Sequence, residues 1–522
     1  MSDDAQQDQN GRVERTHRRV MVARVGRVAG PLLALAAYLA MPDSFTTGVG
    51  DVVQLGQPGR ATAAIGVLMA VWWMTEAIEI SATALLPLAL LPLLQATSID
   101  EAAAPYANPL IFLFLGGFLL ALSMQRWGLE RRIALIALRF VGTEPRRVVG
   151  GFMLLTAVFS MWVSNTATVA MMLPVALSVI DAAVPGGRDT LLSTEPRPGR
   201  NFSRSLLLGI AVSASIGGVG TLIGTPPNLF LASFARESLG VEISFVAWLG
   251  IGLPIVAVFL PLAWLLLTRV LFPPDVDAAR LEAVFSDEAS EAAGPMSTGE
   301  WATLVVFSTT AVAWVTRPLL EDLTIAGSQP LAGLTDAGIA VLAGLALFII
   351  PVDARRGEFV MDWATARKVP WGILILFGGG LSLAAAIDAT GVAEYLGTQA
   401  EGLDVLPPLL IVAAITAGVV FLTELTSNTA TAAALIPIFA AIAPGLGLDP
   451  LALAVPTAIS ASLAFMLPVA TPPNAIVFGS GFVQLPDMMR VGLRLNVASV
   501  VIVTVATYVL AAAVLGFDLP LW

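Results

Sequence analysis

The side chains in this sequence best suited to holding small ions lie in two tripeptides, Ser164-Asn165-Thr166 and Ser427-Asn428-Thr429. Their hydroxyl and amide oxygens suit a hard cation, and their O–H and N–H groups can donate to the oxygens of an anion. One such tripeptide in an apolar helix is ordinarily glue between helices. Here it recurs in register with two other motifs. "SNTATVAMMLP" from Ser164 returns as "SNTATAAALIP" from Ser427, "LFLGGF" around Gly116 as "LFGGG" around Gly378, and "GTPPN" from Gly224 as "ATPPN" from Ala470. Three matches in one order make an internal repeat, and a repeated polar constellation reads as a site.

The proline motifs supply the second half of the chemistry. In Thr225-Pro226-Pro227-Asn228 and Thr471-Pro472-Pro473-Asn474, adjacent prolines remove two backbone donors and push the preceding threonine out of helix. Each helix is expected to unwind there. Carbonyls freed before the break can coordinate a cation, and the half-helix after it points a positive dipole end at an anion. The tripeptides sit midway along their own apolar stretches, where a hairpin tip and a helix cap are expected.

The elements that must position these residues follow from composition. Of 522 residues 57% are hydrophobic and 12% charged, about half the charged share of an ordinary soluble chain. Apolar spans are expected near 28–41, 61–79, 81–96, 108–125, 205–238, 246–271, 301–317, 335–351, 371–390, 450–482 and 494–514, with re-entrant hairpins at 148–180 and 406–443. With hairpins at those two places and the amino terminus inside, 24 of the 27 basic residues fall in cytoplasmic connections; only Arg60, Arg236 and Arg317 lie outside. Counting either hairpin as one span would turn the later basic clusters outward. The first tripeptide then enters from the cytoplasm and the second from outside, so the repeats are inverted and the carboxyl terminus is external.

The expected fold is an all-α polytopic membrane protein of about eleven transmembrane helices plus two re-entrant hairpins. Its parts are a cytoplasmic tail at 1–27, a first helix and external loop at 28–60, repeat one at 61–272, a cytoplasmic linker at 273–300 and repeat two at 301–522. The polar, arginine-rich start has no cleavage site ahead of an apolar run and reads as a retained tail rather than a signal peptide.

Several classes are excluded or weakened. There is no cysteine, and the only histidine is His17, in the polar start; thiolate chemistry, cysteine metal sites and a serine–histidine enzyme have nothing to work with. The net charge of −11 sits in connections, and no nucleic-acid partner is expected. A continuous-pore channel fits poorly with paired hairpins around one centre. Glu76, Glu79, Asp388 and Glu424 lie in apolar segments and are candidate proton carriers; Glu424 adjoins Thr423 and could tune a cation site there, against the alternative of a structural hydrogen bond or a helix-end position. The pair Trp72-Trp73 reads as packing.

These residues resemble the divalent anion/sodium symporters, which carry dicarboxylates, citrate or sulfate. The resemblance rests on "WWMTEAIEISATALLPLALLPLL" from Trp72, "NPLIFLFLGGFLLAL" from Asn108, both Ser-Asn-Thr motifs and both Pro-Pro-Asn breaks, and it covers nearly the whole chain. It implies a homodimer in the cell membrane, each protomer with a scaffold and a moving transport domain that works as an elevator. It implies Na+ as coupling ion, no organic cofactor and no enzymatic activity. A first sodium site would use Ser160, Ser164, Asn165 and Gly224, and a second Thr423, Thr426, Asn428 and Ala470. The anion, a C4-dicarboxylate such as succinate, malate or fumarate by family frequency, would lie between Ser164, Asn165, Thr166, Ser427, Asn428 and Thr429, with Thr225, Pro226, Thr471 and Pro472 lining the breaks. A sodium-independent or proton-coupled carrier of citrate or sulfate is the alternative within the same fold.

Overall fold

A computed structural model describes residues 3–46, 52–184, 199–281, 294–324, 328–400 and 406–520. Parts of the expected tail (1–27) and linker (273–300) lie outside those residues. The chain opens with α1 (Asp3–Ala40), α2 (Gly56–Thr75), the short α3 (Ile80–Thr83), α4 (Leu86–Leu93) and α5 (Ile99–Ala103), then α6 (Pro109–Trp127) and α7 (Leu129–Val141). A helical hairpin follows, α8 (Pro145–Ser160) and α9 (Asn165–Ala183), then α10 (Arg200–Gly218), α11 (Pro226–Ser238) and α12 (Phe245–Leu265). The second half runs α13 (Thr298–Glu321), α14 (Asp336–Ile349), α15 (Trp363–Ala366), α16 (Trp371–Ala389) and α17 (Val392–Ala400). Its hairpin is α18 (Pro408–Thr423) and α19 (Asn428–Ile442), followed by α20 (Pro450–Ala461), α21 (Pro472–Gly479), α22 (Leu485–Ala506) and α23 (Ala512–Leu515). The only strands among the described residues form two small antiparallel hairpins, Ser44–Thr46 with Val52–Gln54 and Pro351–Asp353 with Glu358–Phe359.

The two halves repeat each other's contacts. α6 closes on α14 where a Cβ on Gly116 would collide with the carbonyl of Ala340, and α16 closes on α3 where one on Gly379 would collide with the carbonyl of Ala84. Glycine is required at both because backbone meets side-chain space. Phe114 of α6 and Phe377 of α16, matching positions of the glycine motif, pack edge to face with centroids 5.3 Å apart. Likewise α8 packs along α10 as α18 does along α20, and both α12 and α22 end in a π-helical turn, Leu266–Leu271 and Thr507–Ala511.

Among the described residues eight helices are long and apolar enough to cross a membrane, including Val20–Ala40, Ile99–Trp127 and Leu485–Leu515. The expected span at 28–41 is the end of the longer helix α1. The span expected at 81–96 is broken into α3 and α4, and that at 335–351 is α14, 14 residues, so about 21 Å long. Glu76 and Glu79 do not lie inside a helix: Glu76 takes left-handed backbone (φ 47°) at the end of α2 and Glu79 precedes α3. Trp73 is buried with Nε1 donating to Ile80 O at 3.2 Å, a packing role as its sequence position suggests.

The amphipathic helix α7 escapes an apolar-span search because its charged residues interrupt the run. Its Glu130 is 2% exposed, Oε1 has no hydrogen-bond partner, and burial pushes the carboxyl up to about 7. The folded chain therefore holds a proton that the unfolded chain releases above its ordinary value of 4.5. Stability from this group is complete below that value and is lost as the pH rises through about 7. Glu130→Gln is expected to match the parent's melting temperature near pH 4.5 and exceed it at pH 8, measured by thermal unfolding in detergent across that range.

Candidate functional site

Each half builds the same three-part device from a hairpin tip, an unwound turn and a supporting helix. In the first half α8 ends at Ser160, whose buried hydroxyl lies 2.6 Å from Asn165 Oδ1 and 2.7 Å from Ala214 O of α10, with a hydrogen bond to each. In the second, α18 ends at Thr423, whose hydroxyl lies 2.8 Å from Asn428 Oδ1 and 2.9 Å from Ala461 O of α20, again bonded to both. The chain reverses over four residues, and Ser164 and Ser427 are the caps from which α9 and α19 begin. Ser164 accepts from Ala167 N at 3.4 Å, while Ser427 makes no side-chain cap bond.

The proline motifs break their helices as expected. Thr225 and Thr471 are extended, at φ −145° and −140°, and Pro226 and Pro472 open α11 and α21. Between Gly218 and Thr225 the chain leaves the helix, and Asn228 Nδ2 spans the gap, donating to Gly218 O at 3.1 Å and Thr221 O at 2.8 Å. Asn474 Nδ2 does the same with Ala464 O at 3.3 Å and Leu467 O at 3.1 Å. Behind each turn a helix presents glycine: a Cβ on Gly252 of α12 would meet Val219 O and Gly220 O, and one on Gly492 of α22 would meet the backbone of Phe465 and Met466. Trp248 Nε1 adds a bond to Val219 O at 2.9 Å.

Tip and break converge. A Cβ on Gly218 would lie 2.8 Å from Asn165 Oδ1 and 3.3 Å from Gly224 O, so these oxygens bracket one small space with Ser160 beside it. This is a neutral oxygen cluster of the kind a hard monovalent cation accepts. Thr423 and Asn428 repeat the contact between tip hydroxyl and amide oxygen. Thr426 instead bonds Leu422 O at 3.0 Å and Thr431 Oγ1 at 2.7 Å, so any part in a cation site falls to its backbone. Ala470 is buried beside Thr471, which caps α21 by accepting from Asn474 N at 3.3 Å.

The halves meet at this level. Thr225 Oγ1 and Ser462 Oγ are 3.3 Å apart, joining the two broken helices, while α9 packs on α21 and α11 on α19. The helices that follow the tips and breaks thus pack pairwise across the two halves. Ser164, Thr166 and Pro472 are exposed, and Asn165, Pro226, Ser427, Asn428 and Thr429 half-buried. The polar edge is open while Ser160, Gly224, Thr423 and Ala470 lie buried behind it.

Glu424 is turned onto the second unwound turn. It is 3% exposed and takes N–H bonds from Phe465 at 2.6 Å, Met466 at 2.8 Å, Leu467 at 3.0 Å and Asn496 Nδ2 at 2.8 Å. Asp388 lies away from the site, lining a 390 Å³ cavity with Glu394, Phe234 and Pro437. Gly218, Ser462 and the staple role of Asn228 and Asn474 were not assigned from sequence; the asparagine at the same place in both proline motifs was the available signal.

Comparison with known proteins agrees with this architecture. A family profile described as the sodium:sulfate symporter transmembrane region matches residues 53–515. A protein of Staphylococcus saprophyticus named sodium-dependent dicarboxylate transporter SdcS is 41% identical over 497 residues, covering 95% of this chain and 92% of the relative. Its namesake in Staphylococcus aureus is 39% identical over 498 residues, with the same coverage of 95% and 92%. Among solved structures, the YdaH transporter of Alcanivorax borkumensis aligns with TM-score 0.58 at 13% identity over 94% of this chain and 97% of its own. MtrF of Neisseria gonorrhoeae aligns with TM-score 0.54 at 11% identity over 94% of each chain. At such identities these two share the fold alone.

Asn228→Ala and Asn474→Ala should each strand two carbonyls of an unwound turn, costing about 1–3 kcal/mol. Both variants are expected to melt earlier than the parent by similar amounts, as read by thermal unfolding of detergent-purified protein.

Proposed function

Because the chain belongs to the family described as the sodium:sulfate symporter transmembrane region, we propose that this multi-pass membrane protein is a secondary transporter that couples sodium entry to uptake of a C4-dicarboxylate such as succinate, malate or fumarate. The observation that carries the reading is the duplicated cluster: Ser160 with Asn165 and Ala214 O, and Thr423 with Asn428 and Ala461 O. Neutral oxygens in two matching places suit two Na+. The polar edge between them, Ser164, Asn165, Thr166, Ser427, Asn428 and Thr429, offers donors to two carboxylates, and Thr225, Pro226, Thr471 and Pro472 border it. The names of the relatives favour a dicarboxylate over citrate or sulfate.

The charge logic follows from the residue types. A fixed arginine at the centre would be costly at mid-membrane whenever the carrier is empty. Sodium is a removable positive charge that arrives and leaves with the anion. Two Na+ offset one dianion, and a third would draw about 2.3 kcal/mol per 100 mV from the membrane potential. In this reading the hairpins are re-entrant from opposite faces and residues 61–272 and 301–522 are inverted repeats, with about eleven spans in all. The amino terminus is cytoplasmic and the carboxyl terminus external. The hairpins and broken helices move as an elevator against the rest in a homodimer of the cell membrane. What supports the division is packing: α8–α12 and α18–α23 pack chiefly among themselves, and α1–α6, α13, α14 and α16 among themselves.

Uptake of labelled succinate, citrate and sulfate into proteoliposomes, with and without an inward sodium gradient, tests the function. Sodium-driven succinate uptake is expected; equal uptake without sodium would remove the coupling, and preference for sulfate would change the substrate. Asn165→Ala and Asn428→Ala are each expected to lower sodium-driven uptake by at least about tenfold while eluting as folded protein on size-exclusion chromatography, since each removes a cation ligand and an anion donor. Parental rates in both would dismiss this site.

A further inference from the structure

Around their unwound turns the two halves match residue for residue in kind: Ser160 with Thr423, Asn165 with Asn428, Asn228 with Asn474, Gly252 with Gly492. The match fails at the residue after each tip. The residue after Ser160 is Met161, and the residue after Thr423 is Glu424. Both lie over the same stretch of their own turn. A Cβ on Gly220 would sit 2.9 Å from Met161 Cε, and Met466, which stands where Gly220 does in the first half, donates its N–H to Glu424 at 2.8 Å. The second support is exchanged as well: Asn496 of α22 donates to Glu424, where the first half has Val256 on α12. A thioether and a valine in one half are thus replaced by a carboxylate and its amide in the other.

Four N–H groups donate to Glu424, the hydrogen-bond pattern of a carboxylate rather than of a carboxylic acid. It is buried, and no arginine or lysine pairs with it among the described residues. A buried charge without a counter-charge is costly, and a cation bound nearby offsets that cost. The cluster that could hold one begins at the adjacent residue, Thr423. The amides fix the carboxylate in place, so its field at that cluster needs no rearrangement to act.

We propose that Glu424 makes the second-half cation site the stronger of the two and the first to fill. It acts as a positioning and electrostatic residue behind the ligands. The first-half site, backed by Met161, has only neutral oxygens until the anion arrives with its own charge. This rests on the reading of Thr423, Thr426, Asn428 and Ala470 as a sodium site. It makes the halves unequal in function although alike in shape.

The experiment uses the full chain, purified and reconstituted. Glu424→Gln is expected to raise the sodium concentration for half-maximal succinate uptake by about tenfold or more, with succinate half-saturation at high sodium shifting far less. Asn496→Leu, which removes a neutral donor and keeps the charge, should move the sodium curve much less than Glu424→Gln. Equal shifts in the two variants would make the role structural and overturn the proposal, as would an unchanged sodium curve in Glu424→Gln. Filling order is read in substrate-free protein: the sodium-dependent rise in melting temperature should survive Ser160→Ala and vanish in Thr423→Ala. The reverse pattern overturns the proposal even if Glu424→Gln fails to fold. Wild-type uptake and stability that ignore sodium altogether would instead dismiss the underlying sodium reading.

Discussion

Backbone that leaves the helix inside a membrane protein must find its hydrogen-bond partners in protein, and the structure depends on how that demand is met at two turns. Asn228 and Asn474 answer most of it with one side-chain amide each, donating to two carbonyls across the gap. The rest comes from neighbours that had to be small or polar at defined places: Gly252 and Gly492 to admit the turn, Trp248 to bond Val219 O, and Glu424 to collect three amides in a row. Once the turns are held, the prolines after them start α11 and α21 in fixed directions. The hairpin tips then dock through Ser160 and Thr423 onto α10 and α20. The oxygens assigned to the proposed cation sites are by-products of this scheme, since the unwound turns leave carbonyls beyond those the asparagines claim.

Much of this was legible because the motifs work through local chemistry. Adjacent prolines dictate an extended threonine before them, and both threonines are extended. Ser164 and Ser427 head their helices, as capping residues do. What sequence hid were distances between segments. Nothing in the string places Gly218 against Asn165, and nothing says that Thr225 finds Ser462 rather than water. The amphipathic α7 was hidden for another reason: the buried Glu130 and the more exposed Arg131 and Arg132 interrupt its apolar residues, so no long apolar run marks it. The break between α3 and α4 was hidden by the apolar run on either side of it.

The character of the seam between the two helix groups differs from their interiors. At the tip of the first hairpin Trp162 lies among rings, with centroids 5.1 Å from Phe307, 5.9 Å from Phe245 and 6.4 Å from Trp314. Across the second part of the seam Phe230 of α11 packs on Phe377 of α16 at 6.0 Å. Rings attract broadly and without the strict directionality of hydrogen bonds, so such a surface holds two bodies together without fixing a single register. The directional contacts that bridge it stand at one end, where Arg317 pairs with Glu242, Asp336 accepts from Phe245 N, and Asn108 donates to Glu237. Inside the group that carries the site, by contrast, side-chain bonds to backbone tie tip to helix and turn to helix. A division of this kind, directional bonds within the group that carries the proposed site and rings at the seam, would suit the proposed elevator motion. In that proposed motion the polar contacts at residues 237–245 would have to be exchanged for water before the seam shifts.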